Sequence, residues 1–382
     1  MSWPEITLGE VAEIVSGATP SSSVPELWDG SVLWATPTDL SRLESKFIEQ
    51  TERTISESGL QSCSAKVLPS NSVLFSSRAP IGLIAINKNP MATNQGFKSF
   101  VPKRGLDSSY LYWWLKANRE RLQDLGNGAT FKELSKAVIS RVSLPLPPIE
   151  EQRRIAKMLD RADAILRKRA RTITLAENLL KSLFLEMFGH PLNSSVGHPR
   201  GELRSLGKIE TGKTPPSQDV DNHGTGVPFV TPGDLGGCVS YSRRQISPTG
   251  ARYSKVAPAG STMVCCIGAT IGKMGFLEMD AAFNQQINSI TWGPDIEPVY
   301  GYVGMTFYSE RIAQAGTSTT LPILKKSLFS SIDFPVPEAQ LQKRYGASVR
   351  EIWGNIAIMR RNSLNASNLF ASLSQTAFRG EL

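Results

Sequence analysis

Histidine and cysteine are scarce in this sequence, with three histidines and four cysteines among 382 residues. Cys63 and Cys238 stand alone, and the adjacent Cys265 and Cys266 have no second pair at the spacing of a zinc site. Cys265 and Cys266 lie within an apolar run, which is typical of small buried residues in a reducing compartment. The sequence therefore predicts no metal site.

Long apolar runs are also missing. No stretch approaches the roughly 18 consecutive apolar residues that indicate a membrane span. The opening Met1-Ser2-Trp3-Pro4-Glu5 lacks the basic and apolar regions of a secretory signal. Hydrophobic residues make up 40% of the sequence and charged residues 20%, which excludes a disordered chain. We therefore expect a cytoplasmic, folded protein, and its length predicts two or three domains.

Positive charge exceeds negative charge in this chain. Lysine and arginine number 42 against 34 for aspartate and glutamate, which gives a formal net charge of +8. Such an excess favours a nucleic-acid partner, because each neutralised phosphate releases counterions. Many basic proteins bind no nucleic acid, so the charge alone leaves both interpretations open.

The chain repeats itself. The segment Ser16-Gly17-Ala18-Thr19-Pro20 returns 195 positions later as Thr211-Gly212-Lys213-Thr214-Pro215, and Thr36-Pro37-Thr38-Asp39-Leu40 returns at the same offset as Thr231-Pro232-Gly233-Asp234-Leu235. Further on the offset settles at 190, and it relates Ala79-Pro80-Ile81-Gly82 to Ala269-Thr270-Ile271-Gly272, Asn94-Gln95 to Asn284-Gln285, Tyr110 to Tyr300, Gln152 to Gln342 and Phe188 to Phe378. A period near 190 is too long for a solenoid, so the sequence predicts a duplicated unit of domain size.

Each repeat has two parts. Short apolar runs such as Ser72-Val73-Leu74-Phe75 predict strands separated by glycine, proline and asparagine turns, and residues 110–125 have the apolar spacing of a helix. A long helical pattern follows in both repeats. The sequence therefore predicts α/β domain 1 over residues 1–148, a long helix over 149–190, a linker and α/β domain 2 over 191–337, and a matching helix over 338–382.

The two helical segments have the spacing of a coiled coil. Between the proline-rich stretch 145–148 and Gly189 no proline or glycine interrupts, and apolar residues alternate four and three positions apart except at Arg169. A helix of this length spans about 60 Å. Two such helices in one chain most simply pair, and we expect an antiparallel coiled coil that holds the domains at opposite ends. The predicted seam consists of Ile155, Leu159, Leu166, Ile173, Leu180, Leu183, Val349, Ile352, Ile356, Phe370 and Leu373.

Several local motifs follow one another in a fixed order. The chain opens on Leu8-Gly9-Glu10-Val11, continues through the Thr-Pro-x-Asp-Leu and Asn-Gln motifs, starts its first helix with Glu151-Gln152-Arg153-Arg154-Ile155, and ends on Phe378-Arg379-Gly380-Glu381-Leu382. This order, present over essentially the whole chain, resembles the specificity subunits of type I restriction-modification enzymes. The second copy departs at Gly316-Thr317-Ser318-Thr319-Thr320, which lacks the second glycine of Gly126-Asn127-Gly128.

The resemblance implies a fold and a function. The fold would be α+β, with two mixed α/β target-recognition domains separated by two long helices. Each domain would read one half of a split site in double-stranded DNA. The helices would set the unread spacer and dock two methyltransferase subunits, and motor-nuclease subunits would join for cleavage. The chain itself would bind no cofactor, with S-adenosylmethionine, ATP and magnesium on the partner subunits.

Two catalytic motifs are missing from the sequence. An adenine methyltransferase needs an Asn/Asp-Pro-Pro-aromatic turn to hold the extruded base, and the nearest string, Asn89-Pro90-Met91-Ala92, lacks the second proline and the aromatic residue. A motor needs a phosphate-binding loop, and Gly268-Ala269-Thr270-Ile271-Gly272-Lys273-Met274 is one residue short and ends in methionine. We interpret the latter as a tight turn after a buried strand. Catalysis by this chain alone is not expected.

Base readout needs donors and acceptors on exposed loops, flanked by cations for phosphates. Thr36-Pro37-Thr38-Asp39 and Asn94-Gln95 both recur in the second repeat, which favours a structural turn for the first motif and a backbone contact or a folding role for the second. Positions that differ between the repeats, such as Arg78 against Ile267, are better candidates for sequence choice. The predicted DNA-binding residues are Thr36, Asp39, Ser76, Ser77, Arg78, Asn94, Gln95, Asn127, Thr130 and Lys132 in the first repeat and Thr231, Asp234, Arg243, Arg244, Asn284, Gln285, Thr317, Thr319, Lys325 and Lys326 in the second.

Other interpretations of the sequence stay open at this point. A duplicated coiled-coil scaffold for protein interactions, without sequence-specific DNA binding, is one alternative. A part of a restriction enzyme whose catalytic region lies elsewhere is another. The basic runs Arg153-Arg154 and Arg167-Lys168-Arg169 fit a solvated helix face, and they also fit contact with spacer DNA or an acidic partner.

Overall fold

A computed structural model describes residues 3–78, 80–126, 132–193, 197–316 and 322–381. The chain forms two compact units. Unit 1 comprises residues 1–169 and 362–382, and unit 2 comprises residues 170–361. Each unit therefore contains one α/β domain together with segments of both long helices.

The first repeat contains ten strands and seven helices in the described residues. A 3₁₀ turn lies at Pro25–Leu27. In chain order the elements are β1 (Glu5–Thr7), α1 (Leu8–Val11), β2 (Ala12–Ser16), β3 (Trp28–Ala35), α2 (Pro37–Ser41), β4 (Phe47–Ile48), β5 (Arg53–Ile55), α3 (Glu57–Gln61), β6 (Val73–Phe75), β7 (Ile84–Asn87), β8 (Ala92–Thr93), β9 (Lys98–Pro102), α4 (Ser108–Ala117), α5 (Arg119–Asp124), α6 (Lys136–Ser140), β10 (Ser143–Pro145) and α7 (Ile149–Phe188).

The second repeat follows the same order with small changes. Its 3₁₀ turns lie at Val220–Asn222 and Pro232–Asp234. The remaining elements are β11 (Arg200–Glu202), α8 (Leu203–Leu206), β12 (Gly207–Thr211), β13 (His223–Val230), β14 (Gly237–Val239), β15 (Gln245–Ile246), α9 (Pro248–Tyr253), β16 (Lys255–Ala257), β17 (Thr262–Cys265), β18 (Met274–Leu277), β19 (Ala281–Phe283), β20 (Ile287–Trp292), α10 (Pro298–Thr306), α11 (Ser309–Gln314), α12 (Lys326–Ser330), β21 (Asp333–Pro335) and α13 (Ala339–Arg379).

The two α/β domains have matching sheets. Domain 1 has a five-stranded sheet in the order β2-β9-β6-β7-β4 and a three-stranded sheet in the order β5-β3-β8. Domain 2 has the orders β12-β20-β17-β18-β14 and β15-β13-β19-β16. Antiparallel pairing of β1 with β10, and of β11 with β21, joins the start of each domain to its end. Both domains are mixed α/β structures, as the sequence predicts.

Helices α4 and α5 lie where the sequence predicts one helix over residues 110–125. The helix is interrupted at Asn118, whose side-chain amide donates to the Trp114 carbonyl over 2.9 Å. Asparagine forms such local bonds readily, and they compete with continuation of the helix. The apolar face of α4, including the fully buried Tyr110 and Leu111, packs into the core of domain 1 as expected.

The long helices α7 and α13 cover Ile149–Phe188 and Ala339–Arg379, where the sequence predicts helices over 149–190 and 338–382. Gly189, with φ +72°, follows α7 in the left-handed conformation that ends many helices. Within unit 1, Ile155 and Leu159 near the start of α7 share a core with Leu373 near the end of α13. Unit 2 combines the end of α7 with the start of α13, so the helix segments pack antiparallel in both units. The predicted fold class is therefore confirmed.

All the predicted seam residues except Leu166 belong to the two apolar cores that contain both helices. Ile155, Leu159, Leu180, Val349 and Ile356 are buried. The other six are partly buried, and these are Leu166, Ile173, Leu183, Ile352, Phe370 and Leu373. Arg169, the polar interruption, reaches across the pair: its guanidinium Nη1 donates to the Asn362 carbonyl of α13 over 3.0 Å.

Each α/β domain packs against the helix end that belongs to the other repeat. In unit 1 the Tyr110 ring lies 5.4 Å from the ring of Phe378, at the end of α13. In unit 2 the equivalent Tyr300 ring lies 4.7 Å from Phe188, at the end of α7. Each structural unit is therefore built from both sequence repeats.

A buried glutamine ties each domain to the start of its own helix. Gln152 is fully buried, its Oε1 accepts from the Asp107 backbone N–H over 2.9 Å, and its amide donates to the carbonyls of Gly105 and Pro147 over 2.8 Å each. Gln342 makes the same three bonds in unit 2. The partners are backbone groups, so this connection depends little on the side chains of the domain.

Candidate nucleic-acid interface

Four of the turns that carry predicted site residues meet at one end of the sheets in domain 1. The Asn94 N–H donates to the Ala35 carbonyl over 3.0 Å, and the Ser77 N–H donates to the Gly96 carbonyl over 2.7 Å. The Leu134 N–H donates to the Ser77 carbonyl over 2.8 Å, which brings the 132–134 segment to the same place. We refer to residues 17–20, 36–39, 76–78, 94–96 and 132–134 as the turn cluster of unit 1.

Gly17 of the Ser16–Pro20 segment packs directly against the backbone of Asn94 in the Asn-Gln motif. A Cβ at Gly17 would lie 2.0 Å from the Asn94 carbonyl oxygen, and one at Gly212 would lie 2.1 Å from that of Asn284. Only glycine permits so close an approach of two backbones. Beside it, the Thr19 hydroxyl donates to the Gln95 side-chain oxygen, and in unit 2 Thr214 donates to Gln285. The equivalent turn cluster of unit 2 has the same construction.

Thr36 and Asp39 form a helix cap. The Thr36 N–H and hydroxyl donate to Asp39 Oδ2 over 2.7 and 2.6 Å, and Asp39 Oδ1 accepts from the Glu52 backbone N–H over 2.8 Å. Thr231 and Asp234 repeat the pattern at 2.8 Å each. All of these oxygens have internal partners, so the geometry favours the structural interpretation of this shared motif.

Ser76 and Ser77 are fully buried. The Ser76 hydroxyl donates to the Pro80 carbonyl over 2.6 Å and accepts from the Leu83 N–H over 2.8 Å, while the Ser77 hydroxyl donates to the Gly96 carbonyl over 3.1 Å. Contact with a base would have to replace these bonds, so their burial argues against direct readout. The sequence pattern could not reveal this, because serine is common both in turns and on exposed loops.

Cys265 and Cys266 occupy the corresponding positions in unit 2, and both are buried. Asn288 donates to the Cys266 sulfur over 3.3 Å, and burial raises the pKa of the Cys266 thiol to about 12. The thiol therefore stays protonated and unreactive. The following 268–273 segment is a turn after the buried strand β17, as predicted.

Arg78 occupies a position that differs between the units. It forms an isolated antiparallel bridge with Glu133, and Ile267 forms the same bridge with Ile323 in unit 2. Lys98 also lies 3.7 Å from the Glu133 carboxylate. A charged pair in one unit thus takes the place of an apolar pair in the other, at the edge of the turn cluster.

Asn94 and Asn284 have a common role in shaping their turns. Asn94 Oδ1 accepts from the Gly96 N–H over 2.9 Å, and Asn284 Oδ1 accepts from the Gln286 N–H over 3.2 Å. These hydrogen bonds within the turn are sufficient to explain why asparagine occurs at this position in both repeats. This placement fits the interpretation that the shared Asn-Gln motif serves the fold rather than sequence choice.

Most of the remaining predicted residues are exposed. These are Gln95, Lys132, Arg243, Arg244, Gln285, Lys325 and Lys326. Asn127, Thr130, Thr317 and Thr319 lie outside the described residues. The structure also places an arginine beside the cluster that sequence reasoning missed. The guanidinium of Arg53 lies 3.7 Å from the Trp28 ring centroid. This contact joins two paired strands, and no local sequence motif predicts it.

Two general features concern the described part of the chain. No helix there is long and apolar enough to cross a membrane. Within the same residues, no group of three or more histidine, cysteine or acidic side chains is arranged to hold a metal ion.

A sequence model of the type I restriction modification DNA specificity domain matches residues 2–175 and 200–365. The chain belongs to this family. The two matched stretches begin and end close to the two sequence repeats, and together they include both α/β domains and most of both long helices. This match confirms the resemblance inferred from the motifs and does not favour the scaffold alternative.

Curated relatives carry the same family name. The chain is 34% identical over 247 residues to the type I restriction enzyme MjaIX specificity subunit of Methanocaldococcus jannaschii, covering 60% of this chain and 57% of the relative. It is 28% identical over 166 residues to the EcoR124I/EcoR124II specificity subunit of Escherichia coli, covering 42% and 40%. The matched regions thus span less than two thirds of either relative.

Solved structures share the fold over the whole chain. The S subunit of a type I restriction-modification system from M. genitalium matches with a TM-score of 0.60 at 14% identity, covering 99% of this chain and 96% of that one. A chain from a study of complex assembly and conformational transition in the type I R-M system matches with a TM-score of 0.58 at 19% identity, covering 100% and 98%. These likenesses support the duplicated domain and helix architecture.

Proposed function

We propose that this protein is the DNA-specificity subunit of a type I restriction-modification complex. Domain 1 reads one half of a split duplex site and domain 2 reads the other. The observation that carries the proposal is the duplication itself: two family matches fall on two domains that present the same turn cluster. Exposed cations at both clusters, Lys132 in unit 1 and Arg244, Lys325 and Lys326 in unit 2, suit contact with phosphates.

The chemistry of the complex belongs to other subunits in this proposal. Two methyltransferase subunits dock on the paired helices and bind S-adenosylmethionine, and motor-nuclease subunits supply ATP- and magnesium-dependent cleavage. The cytoplasmic specificity subunit contributes recognition only. This division is consistent with the absence from the sequence of a phosphate-binding loop and of a base-extrusion motif.

Methylome sequencing tests the proposed function. Cells that carry this chain together with its methyltransferase are expected to contain methylated adenines in one split motif, two short sequences separated by an unread spacer. Cells with the methyltransferase alone serve as the control and should lack the motif. A motif that is continuous, or no motif although both proteins are present and associated, would contradict the proposal.

The paired helices are expected to set the spacer length. Arg169 and Asn362 contact each other where unit 1 meets unit 2 in the sequence, so insertions after Arg169 and before Asn362 leave both cores intact. Four residues in each helix add about 6 Å, close to two base-pair steps of about 3.4 Å. The methylated motif should gain one or two spacer base pairs.

Longer and unmatched insertions give the controls for this experiment. Seven residues in each helix add about 10 Å and also turn one half-site around the duplex, so modification should be lost. The four-residue insertion in α7 alone should misalign the pair and abolish modification as well. An unchanged spacer in the matched four-residue variant would show that the helices do not set the spacer length.

A further inference from the structure

An arginine is fixed against aromatic rings beside the turn cluster of unit 1. The Arg53 guanidinium carbon lies 3.7 Å from the Trp28 ring centroid and 5.7 Å from that of Trp34, and the two rings pack edge to face at 5.0 Å. The Arg53 side chain is nevertheless exposed to solvent. Stacking on an aromatic face orients a guanidinium while its N–H donors remain free to point outward.

Unit 2 has the equivalent arrangement. Arg244 lies over the ring of Phe229 at 5.7 Å, and the Phe229 N–H donates to the Arg244 carbonyl over 2.9 Å. The preceding residues also correspond, because the N–H of Glu52 donates to Asp39 and the N–H of Arg243 donates to Asp234. The pair 52–53 in unit 1 therefore occupies the place of the pair 243–244 in unit 2.

These pairs adjoin the turn clusters. In domain 1, Trp34 on the central strand β3 pairs with Arg53 of β5 on one side and with Ala92 of β8 on the other. Neighbouring strands lie about 5 Å apart, so the Arg53 backbone is about 10 Å from β8, which leads directly into the 94–96 turn. The hydrogen bond from Glu52 to Asp39 attaches the same segment to the 36–39 turn.

We propose that Arg53 and Arg244 contact a DNA phosphate in the two half-sites, and that the residue before each, Glu52 or Arg243, helps to choose a base. This inference rests on the proposed function. The shared arginine suits a contact that carries no sequence information, because phosphates are alike in every sequence. The preceding position differs in charge, and glutamate accepts from cytosine whereas arginine donates to guanine.

Glu52 is available for such a role. Its carboxylate forms an ion pair with Arg42 at 2.7 Å, and both side chains are mostly exposed, at 61% and 67%. Exposed ion pairs contribute little to stability. The carboxylate can therefore exchange Arg42 for a base without disturbing the fold.

The phosphate contact is tested by salt-dependent binding of the full-length chain to a 40-base-pair duplex that carries the selected motif. Arg53→Ala is expected to weaken binding about tenfold for all half-site variants alike and to lower the slope of log affinity against log salt by about 1. Arg104→Ala, which removes an exposed arginine beside the Gly105 loop, is the matched control and should leave the slope unchanged. Arg53→Lys should keep the slope, because it keeps the charge.

Melting temperatures separate a loss of contact from a loss of fold. If Arg53→Ala melts at the wild-type temperature with an unchanged slope and affinity, Arg53 does not contact DNA. If Arg53→Ala is unstable, Arg53→Lys decides: the wild-type slope supports the contact, and a slope lowered as far as in Arg53→Ala overturns it.

Base choice is tested by selection from a duplex pool with randomised half-sites. Glu52→Gln should relax the preference at one base pair in the half-site of domain 1 only, and Arg243→Gln should do so in the half-site of domain 2 only. An unchanged motif in both variants would overturn this part of the proposal. Failure of the wild-type chain with its methyltransferase to select any split motif would instead contradict the proposed function.

Discussion

Replacing residues 1–148 with the corresponding domain of a relative is expected to change one half of the methylated motif and leave the other half and the spacer as they were. Besides the core that it shares with the helices, domain 1 has two apolar clusters and a turn cluster of its own, and its start and end are joined through the β1–β10 pairing. The strands and turns that would touch one half-site therefore all move together. Methylome sequencing of cells carrying the chimaera and the methyltransferase measures the result.

Side chains also cross the boundary of this graft: Lys46 pairs with Asp160 of α7 at 2.7 Å, and Tyr110 packs on Phe378 of α13, so the donor should be a relative that keeps Lys46 and Tyr110. Gln152 of α7 bonds to the backbone of Gly105, Asp107 and Pro147, which a homologous domain also presents. Replacement of residues 191–337 is the matched control and should change the other half of the motif. If either chimaera altered both halves, or neither, the two domains would not be independent readers.

Phe184→Ala is expected to lower the free energy of unfolding of unit 2 by about 3–5 kcal/mol, the usual cost of removing a buried phenylalanine. The Phe184 ring is fully buried at the junction of α7, α13 and domain 2. It stacks on Tyr300 at 5.3 Å and packs against Phe188, Phe307 and Tyr345 at 5.1–5.5 Å. Chemical denaturation followed by tryptophan fluorescence, with Trp292 and Trp353 as reporters in unit 2, measures the loss.

The neighbouring Leu185 provides the control, since its side chain is 39% exposed. Because this side chain is partly exposed, Leu185→Ala should lower the free energy of unfolding far less than Phe184→Ala, by about 0.5 kcal/mol. Unit 1 has Ser374 at the position equivalent to Phe184, with its hydroxyl bonded to the Phe370 carbonyl. The unfolding of unit 1 should therefore be unaffected, and equal destabilisation of both units would show that the ring does not act within unit 2 alone.

Several features of this protein are determined by the sequence alone. The offset between the repeats identifies the residues that match in the two turn clusters, because one domain was built twice from the same local motifs. The proline-rich stretch at 145–148 and Gly189 define the ends of α7, since proline and glycine act through their own backbone restrictions. The heptad spacing likewise predicts helix positions that are buried or partly buried in the structure.

Other features depend on contacts between residues distant in sequence. Tyr110 packs on Phe378 and Tyr300 on Phe188, so each unit takes a helix end from the other repeat. The antiparallel pairing expected from the two heptad patterns implies this exchange, but the aromatic rings that meet are set by the packing, because a heptad pattern specifies a helix face and not its neighbours.

In the candidate interface, too, some features follow from local sequence and others only from tertiary contacts. The repeated motif of Thr36 and Asp39 favours a structural turn, and the fold adds the hydrogen bonds that join their polar atoms at 2.6 and 2.7 Å. The sequence pattern at Ser76 and Ser77 is typical of an exposed turn, but both serines are buried in the structure. Arg53 reaches its position through the pairing of β5 with β3, which sets its guanidinium on Trp28. Burial and stacking are properties of neighbours in space, and spacing along the chain does not contain them.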